Sequence, residues 1–183
     1  MKNVITLEEK HRIVGLCKGL NLDDYTINDD GTVDVRGDVY ITHSLMREIP
    51  VQFREVGGDF MVITNKLSSL LGCPSKVGGS FSCGDNRLAS LEFCPTEVGG
   101  DFYCNSNRLT SLEGCPKEVG GDFICSNNRL PVAINKLFND TSVLSREEQL
   151  IFINYQSYYD VWTPEFNIEG MNEFIGEIKD GLK

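Results

Sequence analysis

Apolar and polar positions along this chain repeat on a 21-residue step. Valine stands at Val35, Val56, Val77, Val98 and Val119. Counting each repeat from its valine as zero, position 4 is Val39, Phe60, Phe81, Phe102 and Phe123, and position 6 is Ile41, Val62, Cys83, Cys104 and Cys125. Position 11 is Met46, Leu67, Leu88, Leu109 and Leu130, and position 14 is Ile49, Leu70, Leu91, Leu112 and Ala133. Positions 4 and 6 lie two apart, so they share one face of a short strand. Positions 11 and 14 lie three apart, a spacing that suits a tight turn or a 3₁₀ segment. Each repeat thus points about four apolar side chains inward from two walls, which one repeat alone cannot shelter. A fixed period in the twenties marks a solenoid, in which each repeat is a coil stacked on the last. The pattern predicts an α/β repeat solenoid: a parallel sheet of about five 21-residue coils with helical caps.

The polar positions repeat as well. Position 9 is Ser44, Asn65, Asn86, Asn107 and Asn128, just after the strand, where backbone groups lose their ladder partners. A buried amide column there is expected to bond to the backbone of adjacent coils. Glycine pairs at 57–58, 78–79, 99–100 and 120–121 are expected to permit a sharp corner before each strand, and Pro74, Pro95 and Pro116 to stiffen the return turn.

The open ends of a pile expose core and sheet edge and need caps. Thr6 followed by Glu9 reads as a capping box for a helix over about 7–18. Tyr25–Asn28, Asp29-Asp30-Gly31 and Thr32–Val35 read as a hairpin. At the far end, Val132–Phe138 reads as a short helix, and Ser145 with Glu148 opens another to about Tyr159, interrupted at Trp162-Thr163-Pro164. Ile168, Met171, Ile175 and Ile178 form a helical stripe expected to pack on the last coil. The predicted division is an N-terminal helix and hairpin cap over 1–34, a solenoid over 35–133 and a helical cap over 134–183.

Phe102-x-Cys104-x-x-Asn107-x-Leu109-x-x-Leu112 fills the pattern L-x-L-x-x-N-x-L-x-x-L and so resembles the leucine-rich repeat, in its short bacterial and viral form. The wording VGGDFYCNSNRLTSLEGCP is similar to repeat proteins encoded by large bacteriophages. The resemblance covers about residues 35–133. It implies a strand with an extended or 3₁₀ return. The phage likeness also implies a host protein as partner and inhibition of a host process, such as defence, as effect. Repeat one departs from the pattern with Arg36 in place of glycine and Ser44 in place of asparagine, and the last coil breaks at Pro131.

Net charge is −10, with −3 over residues 1–34, −2 over 35–130 and −5 over 131–183. An acidic chain is a poor match for phosphate backbones, so no direct nucleic-acid partner is expected. No apolar run approaches the length of a membrane span, and the charged start MKNVITLEEKHR does not look like a secretory signal. The seven cysteines are expected to be reduced thiols in a cytoplasmic protein, that of the host if the chain is phage-encoded. Six of them recur every 21 residues, not at the short spacing of zinc ligands, and read as a structural column. Asp29-Asp30-Gly31 lacks the glutamate of a calcium loop, no lysine follows the glycine pairs as a phosphate loop requires, and His11 and His43 have no nucleophile beside them. Neither a cofactor nor a metal nor an enzymatic activity is expected.

What remains is a surface. Positions 3, 5 and 7 alternate with the core positions and face away from it. Position 3 is Asp38, Asp59, Ser80, Asp101 and Asp122; position 5 is Tyr40, Met61, Ser82, Tyr103 and Ile124; position 7 includes Ile63. Apolar and aromatic groups framed by charge suggest a protein contact. The expected function is therefore a non-catalytic interaction module that binds a protein through Tyr40, Met61, Ile63, Tyr103, Ile124, Asp59, Asp101 and Asp122. One rival is an acidic decoy that mimics nucleic acid, and another is an enzyme with a site between solenoid and C-terminal cap. A cation row at position 10, Lys66, Arg87, Arg108 and Arg129, is expected to be solvated or to offset the carboxylates.

Overall fold

The computed structural model describes residues 4–163 and 165–181. It is a parallel-sheet β-solenoid with helices at both ends. Residues 21 apart lie side by side in register. Strands β3 (Val39–Tyr40), β5 (Phe60–Met61), β7 (Phe81–Ser82), β9 (Phe102–Tyr103) and β11 (Phe123–Ile124) form one five-stranded parallel sheet, with Phe60 opposite Phe81, Phe81 opposite Phe102 and Phe102 opposite Phe123.

A second sheet forms another wall, joined to the first at the glycine corners. Strands β2 (Val33–Val35), β4 (Phe53–Val56), β6 (Lys76–Val77), β8 (Glu97–Val98) and β10 (Glu118–Val119) run parallel, with β1 (Tyr25–Ile27) antiparallel on β2. The sequence pattern missed this wall, because β6, β8 and β10 each offer it only one buried valine, and only β2 and β4 add a second buried residue, Val33 and Phe53. The 3₁₀ segment expected at positions 11 to 14 is absent from the described coils. That stretch is irregular and runs into a tight turn closed by Cys73, Cys94 or Cys115 N–H on the carbonyl of Leu70, Leu91 or Leu112, and its leucines Leu67, Leu70, Leu88, Leu91, Leu109 and Leu112 are all fully buried.

The glycine pairs act differently from expectation. None of the eight has positive φ. They are needed because neighbouring coils touch there: a Cβ on Gly78, Gly99 or Gly120 would collide with the carbonyl oxygen of the glycine one coil earlier. The departures in repeat one follow from the same fact. Gly37 has open space around its Cβ direction, and Arg36 has no coil beneath it. Ser44 suffices at position 9 because no earlier coil offers a carbonyl for an amide to reach.

The asparagine column is as expected. Asn107 Nδ2 donates to the carbonyls of Cys83, Cys104 and Asn105, while its Oδ1 accepts from Leu88 N at 2.9 Å. Asn65, Asn86 and Asn128 repeat this bonding. Each amide ties its own coil to the one before. The residue preceding each of them, at position 8, is left-handed: His43, Thr64, Asp85, Ser106 and Asn127 have φ between 53° and 56°.

The caps close the pile. Helix α1 (Leu7–Gly19), capped by Thr6, buries Ile13 and Cys17. At the far end stand α2 (Val132–Asn139), α3 (Arg146–Tyr155), a 3₁₀ turn (Gln156–Tyr159), a short hairpin β12–β13 (Trp162–Thr163, Glu165–Phe166) and α4 (Ile168–Lys179). Helix α3 opens with the expected capping box but gives way to the 3₁₀ turn before Tyr159. Of the expected interruption, Pro164 lies outside the described residues. The α4 stripe is also corrected: Met171, Phe174 and Ile178 are buried, while Ile168 is exposed. Phe174 stacks on Phe152 of α3 and on Tyr159 of the 3₁₀ turn, so α4 packs on its fellow cap elements. Helix α2 makes the junction with the last coil. A file of rings runs from Phe60 through Phe81, Phe102, Phe123, Phe138 and Phe152 to Phe174, with successive centroids 5.0–6.0 Å apart.

Candidate functional site

The outer side of the five-stranded sheet carries the predicted contact residues in register. Met61 stands beside Tyr40, and Ile124 beside Tyr103, on neighbouring strands. Between the two pairs lies the coil of Ser80, Ser82 and Gly84, so the face dips at its centre. Ser82 is buried there between the larger side chains of Met61 and Tyr103 on either strand. Tyr40 is 55% exposed, and Met61, Ile63, Tyr103 and Ile124 are half-buried. None of these five belongs to the core cluster or packs against it.

The two tyrosines are held in place. Tyr40 Oη donates to Asp38 Oδ2 at 3.1 Å, and Tyr103 Oη donates to Asp101 Oδ2 at 2.8 Å. The hydrogen bond to a carboxylate holds both phenols above their ordinary value of 10.0, with desolvation and the nearby aspartates adding to it. Each ring thus presents its apolar body with one polar edge already satisfied.

The aspartate row has a role that the sequence did not reveal. The backbone N–H of Asp59 donates to Asp38 Oδ1, that of Ser80 to Asp59 Oδ1, that of Asp101 to Ser80 Oγ, and that of Asp122 to Asp101 Oδ1, at 2.7–3.1 Å. These side chains form a second ladder between coils, at the opposite end of the strand from the asparagines. The second glycine of each pair leaves room for it: a Cβ on Gly58, Gly79 or Gly121 would occupy the place of an aspartate Oδ1. The sequence signal was the constant Gly-Asp step, with serine replacing aspartate only at Ser80. Asp122 has no further coil to hold and instead faces Arg146 Nε at 3.9 Å.

The position-10 cations stand past the other end of these strands. Their backbone N–H groups bond in register to the preceding coil. Among the described residues, Lys66, Arg87, Arg108 and Arg129 make no ion pair. The expected offset of the carboxylate row therefore does not take the form of direct pairs. The outer side of the six-stranded sheet is different. Arg54 pairs with Asp34, and Lys76 Nζ lies 2.5 Å from Glu97.

A cleft of about 340 Å³ opens between the last return turn and the C-terminal cap, where the enzyme rival placed its site. Leu112, Pro116, Ile153, Val161 and Trp162 line it. Its thiol, Cys115, is pushed up to about 12 by burial, so it is protonated at neutral pH and a poor nucleophile. All seven cysteines are free thiols, and burial likewise raises Cys83 and Cys104. Among the described residues, no group of three or more His, Cys, Asp or Glu is placed to hold a metal ion, and no helix is long and apolar enough to cross a membrane. Compared with models of protein families, with curated proteins and with solved structures, the chain matches none.

Proposed function

We propose that the protein is a non-catalytic interaction module that binds a protein partner through the outer side of its five-stranded sheet. One observation carries the reading. Tyr40, Met61, Tyr103 and Ile124 stand on a regular sheet, with Ile63 just past β5, yet all five take no part in the core, and both tyrosines are held by the aspartate two residues before them. Apolar groups held rigid before binding lose little freedom on contact, which favours their use as anchors. Asp59, Asp101 and Asp122 frame the contact. The resemblance to phage repeat proteins makes a host protein the expected partner and inhibition of a host process the expected effect, in the host cytoplasm.

The two rivals draw less support. An acidic decoy needs free carboxylates, whereas one oxygen of Asp38, Asp59 and Asp101 is already bound to the next coil's backbone. An enzyme in the cleft needs an activated group, and the thiol there is protonated at neutral pH.

Affinity capture from a host lysate tests the reading, using the wild-type protein beside Tyr40→Ala/Tyr103→Ala. A partner retained by the first and lost with the second is the expected result. Equal retention by both would remove the sheet face from the function.

A further inference from the structure

Lys66, Arg87, Arg108 and Arg129 form a ledge of like charge, one cation per coil, with no ion pair among the described residues to neutralise it. Stacking cations at a coil spacing of about 4.8 Å is unfavourable unless an anionic surface covers them. The spacing restricts what fits. From Lys66 to Arg129 is three coil steps, about 14 Å. An extended strand places same-face residues about 6.7 Å apart, so three steps span about 20 Å and drift out of register. A helix with acids three or four residues apart advances about 4.5–6 Å each time, close to the coil step.

This chain carries such a helix. Glu169, Glu173, Glu177 and Asp180 follow one another at intervals of four, four and three residues along α4 and its C-cap. All four are exposed; Glu169, Glu173 and Asp180 lie on the side opposite the buried Met171, Phe174 and Ile178, and Glu177 beside them also accepts from Tyr159 Oη at 2.5 Å through one of its two oxygens. Eleven residues of helix span about 16 Å, against about 14 Å for the ledge. The ends match too. Leu45, 64% exposed, heads the ledge one coil before Lys66, and exposed Ile168 stands just ahead of Glu169. Charges set register and orientation in such a contact, while the apolar end excludes water.

We propose that the protein self-associates, with the acidic stripe of α4 from one copy lying along the Lys66–Arg129 ledge of another, running from Glu169 near Lys66 to Asp180 near Arg129. The contact is independent of the partner-binding face, which Tyr40 and Tyr103 define.

The test is a charge swap on the full-length chain, read by analytical ultracentrifugation over a range of protein concentrations at 100 and at 500 mM salt (about 10 and 4 Å of screening length). Wild type is expected to associate, less so at the higher salt. Lys66→Glu/Arg87→Glu and Glu169→Arg/Glu173→Arg are each expected to be monomeric, with unchanged circular dichroism. An equimolar mixture of the two variants is expected to associate again, because each then meets its complement. A monomeric wild type, association that survives either reversal, or a mixture that stays monomeric while both variants are folded would overturn the proposal. Because no variant touches Tyr40 or Tyr103, failure here leaves the sheet-face reading standing.

Discussion

The two walls of the solenoid share one 21-residue step and one core, yet their outer sides are finished differently. On the six-stranded wall, neighbouring coils present Asp34, Glu55, Lys76, Glu97 and Glu118, with Arg54 beside them, and two close ion pairs form within the row. Two of its carboxylates are paired on the surface itself and the row holds no apolar group, so it offers little for a partner to bury. On the five-stranded wall, the polar side chains at the strand ends turn to the backbone of the adjacent coil. Its middle row is left with Tyr40, Met61, Tyr103 and Ile124. In a stacked fold, then, function is more legible from which outer row is left unsatisfied than from which is most charged.

That contrast can be broken from the inside out. The largest effect is expected where the walls meet. Gly99→Ala drives a Cβ into the carbonyl of Gly78 and should cost about 3 kcal/mol in denaturant unfolding, whereas Gly37→Ala, with open space, should change little. Next, Asn107→Ala should cost about 1–3 kcal/mol by orphaning the Leu88 N–H and leaving the Cys83 carbonyl with Asn86 Nδ2 alone, while Ser106→Ala stays nearly silent. Equal, small losses would mean that the amide column does not tie the coils of the five-stranded wall. Lys76→Met, which removes a pair from the other wall, should leave the unfolding midpoint unchanged because the pair is exposed.

A gain is expected at Phe93. It is 50% exposed with φ 66° at a repeat position where Gly72 and Gly114 also have positive φ. Phe93→Gly should stabilise the fold by about 0.5–1 kcal/mol by relieving a left-handed backbone that costs a side-chain-bearing residue. The smallest effect is a pH dependence confined to the five-stranded wall. The phenols of Tyr40 and Tyr103 are raised in the folded state, so their contribution to stability is complete below pH 10 and is lost as pH rises through their folded values. Absorbance titration should show these two ionising later in the native protein than in urea.

The coil period, the buried phenylalanine and leucine columns, the asparagine ladder, the Thr6 N-cap and the Ser145 capping box were legible because each follows from spacing or from one local bond; at Thr6 only half of the expected box forms, since Glu9 turns to Arg12 instead of the N-cap backbone. Three features were not. In β6, β8 and β10 the second sheet shows only as one valine per coil, too little for a strand signal. The aspartate ladder looks like an exposed acidic row until the coils are placed within hydrogen-bonding distance. Phe174 was overlooked because Ile168, Met171, Ile175 and Ile178 made a complete stripe without it, and only the position of Phe152 decides which side of α4 is inward. Among the candidate contact residues, which row faces outward was readable from alternation. That Tyr40 and Tyr103 are anchored by Asp38 and Asp101 was not, since a bond between residues two apart needs the side-chain geometry.

The contrast between the walls is tested most directly by equilibrium binding of the captured partner to three proteins: wild type, Tyr40→Ala/Tyr103→Ala and Lys76→Met/Glu97→Gln. If the five-stranded wall is the working surface, the tyrosine variant should bind at least about tenfold more weakly, since buried aromatic anchors dominate contacts. The six-stranded variant should then bind as wild type does. Binding that survives the loss of both tyrosines, or falls with the Lys76–Glu97 pair instead, would contradict it.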